Sequence, residues 1–136
     1  GDINSPLLVG GGRVFGPRPR DYRFKLNIKL KRLARRSALS YKAAENNITV
    51  VENFTMEAPK TKKMIEILKN LNVAEKKSLF IFSEQNNFVS LSARNLQNVK
   101  VANVCQLNTY DIMNASNLII SEASLVEIAR VLATNK

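Results

Sequence analysis

SLFIFSEQNNFVSLSARNLQNVKVANVCQLNTYDIMNASNLIIS, residues 78–121, decides the fold. Its apolar residues come in two rhythms. Residues 78–83, 99–104 and 118–121 are short runs of Val, Ile, Leu and Phe, the length of a buried strand. Residues 88–96 and 109–114 lie between them as two short helices, so the chain alternates strand and helix.

The same rhythm extends outward in both directions. Upstream, residues 48–51 read as a strand, and Pro59 with Thr61 opens a helix whose Met64, Ile65, Leu68 and Leu71 keep the helical period. Downstream, residues 123–133 read as a final helix, with Ser121 and Glu122 placing an anion in its first turn. The order is strand then helix, four times over. Runs of branched apolar residues without strict alternation belong to strands covered on both faces. The expected fold class is therefore α/β, a three-layer α/β/α arrangement around a mostly parallel four-stranded sheet with right-handed crossovers.

The N-terminal part is made of different material. All five glycines fall within the first 16 residues, and ten of the 21 lysines and arginines lie between Arg13 and Arg36. Residues 1–44 hold eleven basic and two acidic residues, a net of +9, and residues 45–136 hold ten basic and nine acidic, a net of +1. Pro6, Pro17, Pro19 and the Gly10, Gly11, Gly12 triplet leave residues 1–25 with no sustained period, so they read as an extended Gly/Pro/Arg-rich arm. Residues 26–136 form the globular domain. At its start, residues 28–45 read as an amphipathic helix with Leu26, Leu30, Leu33, Ala34, Ala38 and Tyr41 toward the core and Lys29, Lys31, Arg32, Arg35 and Arg36 on the other face.

Several function classes are disfavoured by what the chain contains. It has no histidine, and its carboxylates are scattered: Glu52, Glu57, Glu84 and Asp111 read as solvated charges and helix-end partners, with no pair set for acid–base work. No catalytic residue, metal site or cofactor is expected. Cys105, the one cysteine, reads as a small buried apolar residue in a strand-like stretch. The glycine triplet lacks the preceding strand and the Lys-Ser or Lys-Thr pair of a phosphate loop, and Phe15 stands where the third glycine of a dinucleotide fingerprint would fall. No apolar run approaches the length of a membrane span. The chain starts at Gly1 without methionine or a signal pattern, and it is expected to be a piece of a longer cytoplasmic protein.

The cations carry the strongest functional signal. Arg13, Arg18, Arg20, Arg23, Lys25, Lys29, Lys31, Arg32, Arg35 and Arg36 run with no acid between Lys25 and Ala44, a density that repels itself unless a polyanion neutralises it. Arginine predominates in the arm, which suits bidentate phosphate contact, and Phe15 and Tyr22 stand among the cations where they can stack on unpaired bases or anchor the arm on the body. An extended arm with no base-reading helix favours RNA over DNA. A phospho-ligand-binding α/β enzyme is the alternative from a different class, drawn from the strand–helix rhythm.

Ser5-Pro6, then Gly10-Gly11-Gly12, then Phe15-Gly16-Pro17-Arg18-Pro19-Arg20-Asp21-Tyr22 resemble the end of the long loop in the bacterial large-subunit ribosomal protein L4 family. The likeness runs on through Val50-Val51-Glu52, Glu57-Ala58-Pro59-Lys60-Thr61-Lys62, Ser92-Ala93-Arg94-Asn95-Leu96 and Tyr110-Asp111-Ile112-Met113-Asn114-Ala115. The resemblance implies a structural constituent of the large subunit that binds ribosomal RNA early in assembly and is not an enzyme. Its partners would be ribosomal RNA and neighbouring ribosomal proteins, with no membrane, and it would be monomeric outside the ribosome. Family members also repress their own messenger RNA, a second role that the resemblance allows. On this reading the ten cations form the returning limb of the loop and its basic helix. Gly10, Gly11, Gly12, Phe15, Gly16 and Tyr22 would then pass close to RNA. The family's N-terminal segment and loop tip have no counterpart in these residues, so contact with the peptide tunnel is not expected of them.

Overall fold

The structure, a computed structural model, describes residues 1–133. Four strands, β1 (Ile48–Val51), β2 (Ser78–Phe82), β3 (Val99–Asn103) and β4 (Asn117–Ser121), make one sheet in the order β1-β4-β2-β3. Every pairing is parallel. Among the described residues five α-helices accompany them: α1 (Ile28–Ala44), α2 (Thr61–Asn70), α3 (Asn87–Ala93), α4 (Thr109–Asn114) and α5 (Glu122–Leu132).

The central strands β2 and β4 are buried at every residue, and this explains their unbroken apolar character. Successive side chains of a strand point to opposite faces, so two cores result. Leu79, Ile81, Leu118 and Ile120 face one way and meet Ala38 of α1, Ile112 of α4 and Ile128 of α5. Phe80, Phe82 and Ile119 face the other way and meet Met64 and Leu68 of α2 and Val89 of α3. The three-layer α/β/α class read from the sequence is observed, with a fully parallel sheet. Among the described residues no helix is long and apolar enough to cross a membrane.

Helix ends follow local chemistry. Asn46 (φ 56°) and Asn72 (φ 56°) take the left-handed conformation just past α1 and α2. In α1 the Asn46 and Asn47 amides donate to the Ala43 and Lys42 carbonyls, and in α2 the Asn72 and Val73 amides donate to those of Lys69 and Leu68. Both are Schellman closures that satisfy carbonyls a helix end otherwise leaves unpaired. At α5, Glu122 sits in the first turn as expected, but the Ser121 hydroxyl pairs with that of Ser124 at 2.5 Å, and Ser124 also donates to the Ile81 carbonyl at 3.1 Å. That bond ties the helix to the sheet.

Three readings are corrected. Cys105 is exposed, because β3 ends at Asn103 and a 3-10 turn over Val104–Gln106 gives the buried position to Val104. Asp111 is a helix-end partner in the first turn of α4, as read, but it is only 7% exposed and so is not solvated. Helix α1 is rotated from its expected orientation: Ala38 and Lys42 are buried and Arg32, Arg35 and Leu39 half-buried, while Leu26, Leu30, Leu33, Ala34 and Tyr41 are exposed. Packing against α4 and α5 selected the stripe at 35, 38, 39 and 42, with the small Ala38 allowing close approach.

Candidate nucleic-acid interface

Residues 1–27 contain neither helix nor strand, and almost all of them are exposed. The first twelve are nevertheless not extended. Amide donors of Ser5, Leu8 and Gly11 reach the carbonyls of Asp2, Ser5 and Leu8 in successive turns, and the Gly12 amide closes the set on Asn4 at 2.9 Å. Here the glycines have a local structural task. A side chain on Gly11 would stand 1.9 Å from the Ser5 carbonyl oxygen, and Gly10 has φ +77°.

Beyond this knot the chain presents its cations. Arg13, Arg18, Arg20, Arg23 and Lys25 are all exposed. The Arg20 guanidinium lies 4.7 Å from the centre of the Tyr22 ring, and the Arg23 amide donates to the Asp21 carboxylate at 3.0 Å. Phe15 is fully exposed with φ 51°, a conformation that a bulky residue adopts only at a cost of about 1–2 kcal/mol. Among the described residues, none of Arg13, Arg18, Arg23, Lys25, Lys29 and Lys31 has a carboxylate within ion-pair distance. Their charge therefore remains uncompensated among the described residues.

On α1 the cations divide into two stripes. At about 100° per residue, Lys29, Arg32 and Arg36 line one side and Lys31, Arg35 and Lys42 another. The second stripe leans on the body: Arg35 lies in a small cleft with Val104, Leu107, Ile128, Val131 and Leu132, and Lys42 is buried, its ammonium 3.8 Å from Glu45. Such stems cover apolar surface while the charged head stays near water. The structure thus keeps the arm cations, Lys29, Lys31 and Arg36 exposed and ties Arg32 and Arg35 partly into packing.

Sequence reading overlooked a second polar cluster on the body. Lys77 donates to Asn114 at 3.3 Å and Lys100 to Asp111 at 2.7 Å, beside a cleft that Gln97 and Asn98 also line. The pairing of β2 with both β3 and β4 brings these separated residues to one edge.

Parallel sheets of this kind seat ligands beyond the carboxyl ends of their strands. Here that edge opens into a cleft of about 450 Å³ whose polar lining is Asn53, Thr55, Ser83, Glu84, Gln85 and Asn86. Amides, hydroxyls and a carboxylate without a cation are a poor seat for a phosphate. Among the described residues no group of three or more metal-ligating side chains converges.

The profile of the "Ribosomal protein L4/L1 family" matches residues 1–131. Curated relatives carry the name large ribosomal subunit protein uL4. The protein of Parabacteroides distasonis is 63% identical over 128 residues, covering 94% of this chain and 61% of the relative. That of Phocaeicola vulgatus is 57% identical over 133 residues (98% and 64%), and that of Bacteroides fragilis 57% over 132 residues (97% and 64%). The chain spans 61–64% of the length of these relatives.

Proposed function

Because the chain belongs to the ribosomal protein L4/L1 family, we propose that it is a structural, non-catalytic constituent of the large ribosomal subunit that binds ribosomal RNA and helps the subunit assemble. One observation carries this reading. Seven arm and helix cations, Arg13, Arg18, Arg20, Arg23, Lys25, Lys29 and Lys31, are exposed and lack a carboxylate partner among the described residues. Phosphates are the natural counter-charge, and their neutralisation releases condensed counterions. Phe15 and Tyr22 add aromatic faces to the same stretch, and stacking on an unpaired base contributes about 1–3 kcal/mol.

In this reading residues 1–25 are the RNA-facing arm and residues 26–136 the scaffold that anchors it. The protein works in cytoplasmic ribosomes among other ribosomal proteins and is monomeric outside them. Titration of the chain with large-subunit ribosomal RNA fragments at several salt concentrations tests it, with the chain's own messenger RNA leader as competitor. Preference for a ribosomal fragment with steep salt dependence is the expected result. Preference for the leader would assign the arm to repression of its own message, and binding that ignores salt would remove phosphate contact from the account.

A further inference from the structure

A groove of about 590 Å³ lies between α2 and the end of β1. Its apolar floor is Val51, Phe54, Met56, Ile67 and Leu71, all part of the core layer on the α2 side of the sheet. Met56 is buried, but the other four are only half-buried, so that core stays open along this line. The strand beside it is open too. Among the described residues β1 pairs with β4 alone, and its outer edge has no partner. The opposite edge strand, β3, carries Lys100, the kind of charge that discourages pairing with another chain. β1 reads Ile48-Thr49-Val50-Val51 and has neither charge nor proline. An extended segment laid along it would gain main-chain hydrogen bonds from the strand and a seat for its apolar side chains in the groove.

Charge narrows the occupant. Glu57 and Glu66 line the groove and Glu52 directly follows Val51; all three are exposed, and none has a cation within ion-pair distance among the described residues. Lys63 is the one cation among the described residues that line it. In a chain with a formal net charge of +10, this is a local excess of negative charge beside apolar surface. It repels phosphates, and the apolar floor offers a nucleic acid no donor, so RNA fits poorly. A second copy would bring Glu57 and Glu66 near their own counterparts and one +10 molecule against another, so self-association is opposed as well.

We infer that this groove docks an extended segment of another protein, one that combines apolar residues with lysine or arginine. Its backbone pairs with the edge of β1 and its cations meet Glu57 and Glu66. Proteins held on one RNA need cationic segments of their own, so a neighbour on the ribosomal RNA is the fitting source. That source rests on the function proposed above, whereas the docking itself does not.

Peptide titration tests the docking without RNA. The probe is an eight-residue peptide of four alternating valines and threonines with a lysine pair at each end, and its counterpart carries glutamates in place of the lysines. Both are labelled and titrated by fluorescence anisotropy against the 136-residue chain and against the full-length Parabacteroides distasonis protein. The lysine peptide is expected to bind saturably and equally to both proteins, and the glutamate peptide at least about tenfold more weakly. In the chain, the double variant Glu57→Lys, Glu66→Lys should weaken the lysine peptide at least about tenfold. Glu75→Lys with Glu127→Lys, the same change of charge away from the groove lining, should not. The milder pair Glu57→Gln, Glu66→Gln, which keeps side-chain size, should show a smaller loss in the same direction. Equal affinity of the two peptides, or equal losses in the two lysine double variants, would overturn the inference. Binding to the chain but not to the full-length protein would also overturn it, by assigning the groove to the rest of the polypeptide, as would dimerisation of the chain that the peptide reverses. Amide resonances of Val51, Thr55 and Ile67 should shift with the lysine peptide and not with a ribosomal RNA fragment; the reverse would assign the groove to RNA. If the fragment bound nowhere on the chain, the function proposed above would fall and the peptide result would stand.

Discussion

Asn108 and Asp111 hold each other at the start of α4: the Asn108 Oδ1 accepts from the Asp111 amide at 2.7 Å, and the Asn108 Nδ2 donates to the Asp111 carboxylate at 2.9 Å. The other carboxylate oxygen accepts from Lys100 at 2.7 Å. The aspartate is buried while Lys100 is largely exposed, so the two partners should matter unequally. Asp111→Ala is expected to lower unfolding free energy by about 1.5–3 kcal/mol through loss of charge-assisted hydrogen bonds, and Lys100→Ala by no more than about 1 kcal/mol. Urea unfolding of both variants checks this; equal losses would contradict it.

Asn46 and Asn72 close α1 and α2 from the left-handed region. A β-carbon without a compensating amide is disfavoured there, so Asn46→Ala and Asn72→Ala should each cost about 1 kcal/mol. Asn46→Gly and Asn72→Gly should be neutral or slightly stabilising, since glycine takes this conformation without strain. Thermal melts of the four variants supply the test, and alanine variants as stable as wild type would contradict the helix-end assignment.

Gly11 leaves no space for a side chain against the Ser5 carbonyl. Gly11→Ala should open the turn set that Gly12 closes on Asn4 and accelerate amide exchange at Gly11 and Gly12. Melting of the sheet domain should stay unchanged, because the turn bonds of residues 2–12 are made within that segment. A large drop in melting temperature would show that the arm supports the body.

The rotation of α1 gives a paired prediction. Ala38→Leu inserts volume into a packed seam and should cost about 1–3 kcal/mol. Leu30→Gln and Leu33→Gln, on the exposed side, should stay within about 0.5 kcal/mol of wild type in the 136-residue chain. The reverse ranking in urea unfolding would restore the leucine stripe to the core.

These outcomes also mark how far the residues spoke for themselves. Strand β1 and helix α4 are legible to the residue, because run length and period are local properties. The sheet order is not, since β4 enters between β1 and β2 through contacts distant in sequence. On α1 the largest apolar residues suggested a core face, yet small Ala38 and the stems of Arg35 and Lys42 pack on the body. Helical period gives the stripes but not which one is covered. Cys105 misled for a related reason: apolar character continued through Val104, while the backbone had already left the sheet. In the candidate interface, the cations were legible as a block of charge, whereas the half-burial of Arg32 and Arg35 required the packing of α1.

The arm's affinity for RNA is tested most directly by measuring binding of a large-subunit ribosomal RNA fragment as a function of salt, for wild type and for the triple variant Arg18→Glu, Arg20→Glu, Arg23→Glu. The account predicts at least about a tenfold loss of affinity for the variant and a log–log salt dependence shallower by about 2–3, as three phosphate contacts disappear. Unchanged affinity with an unchanged salt slope would contradict it.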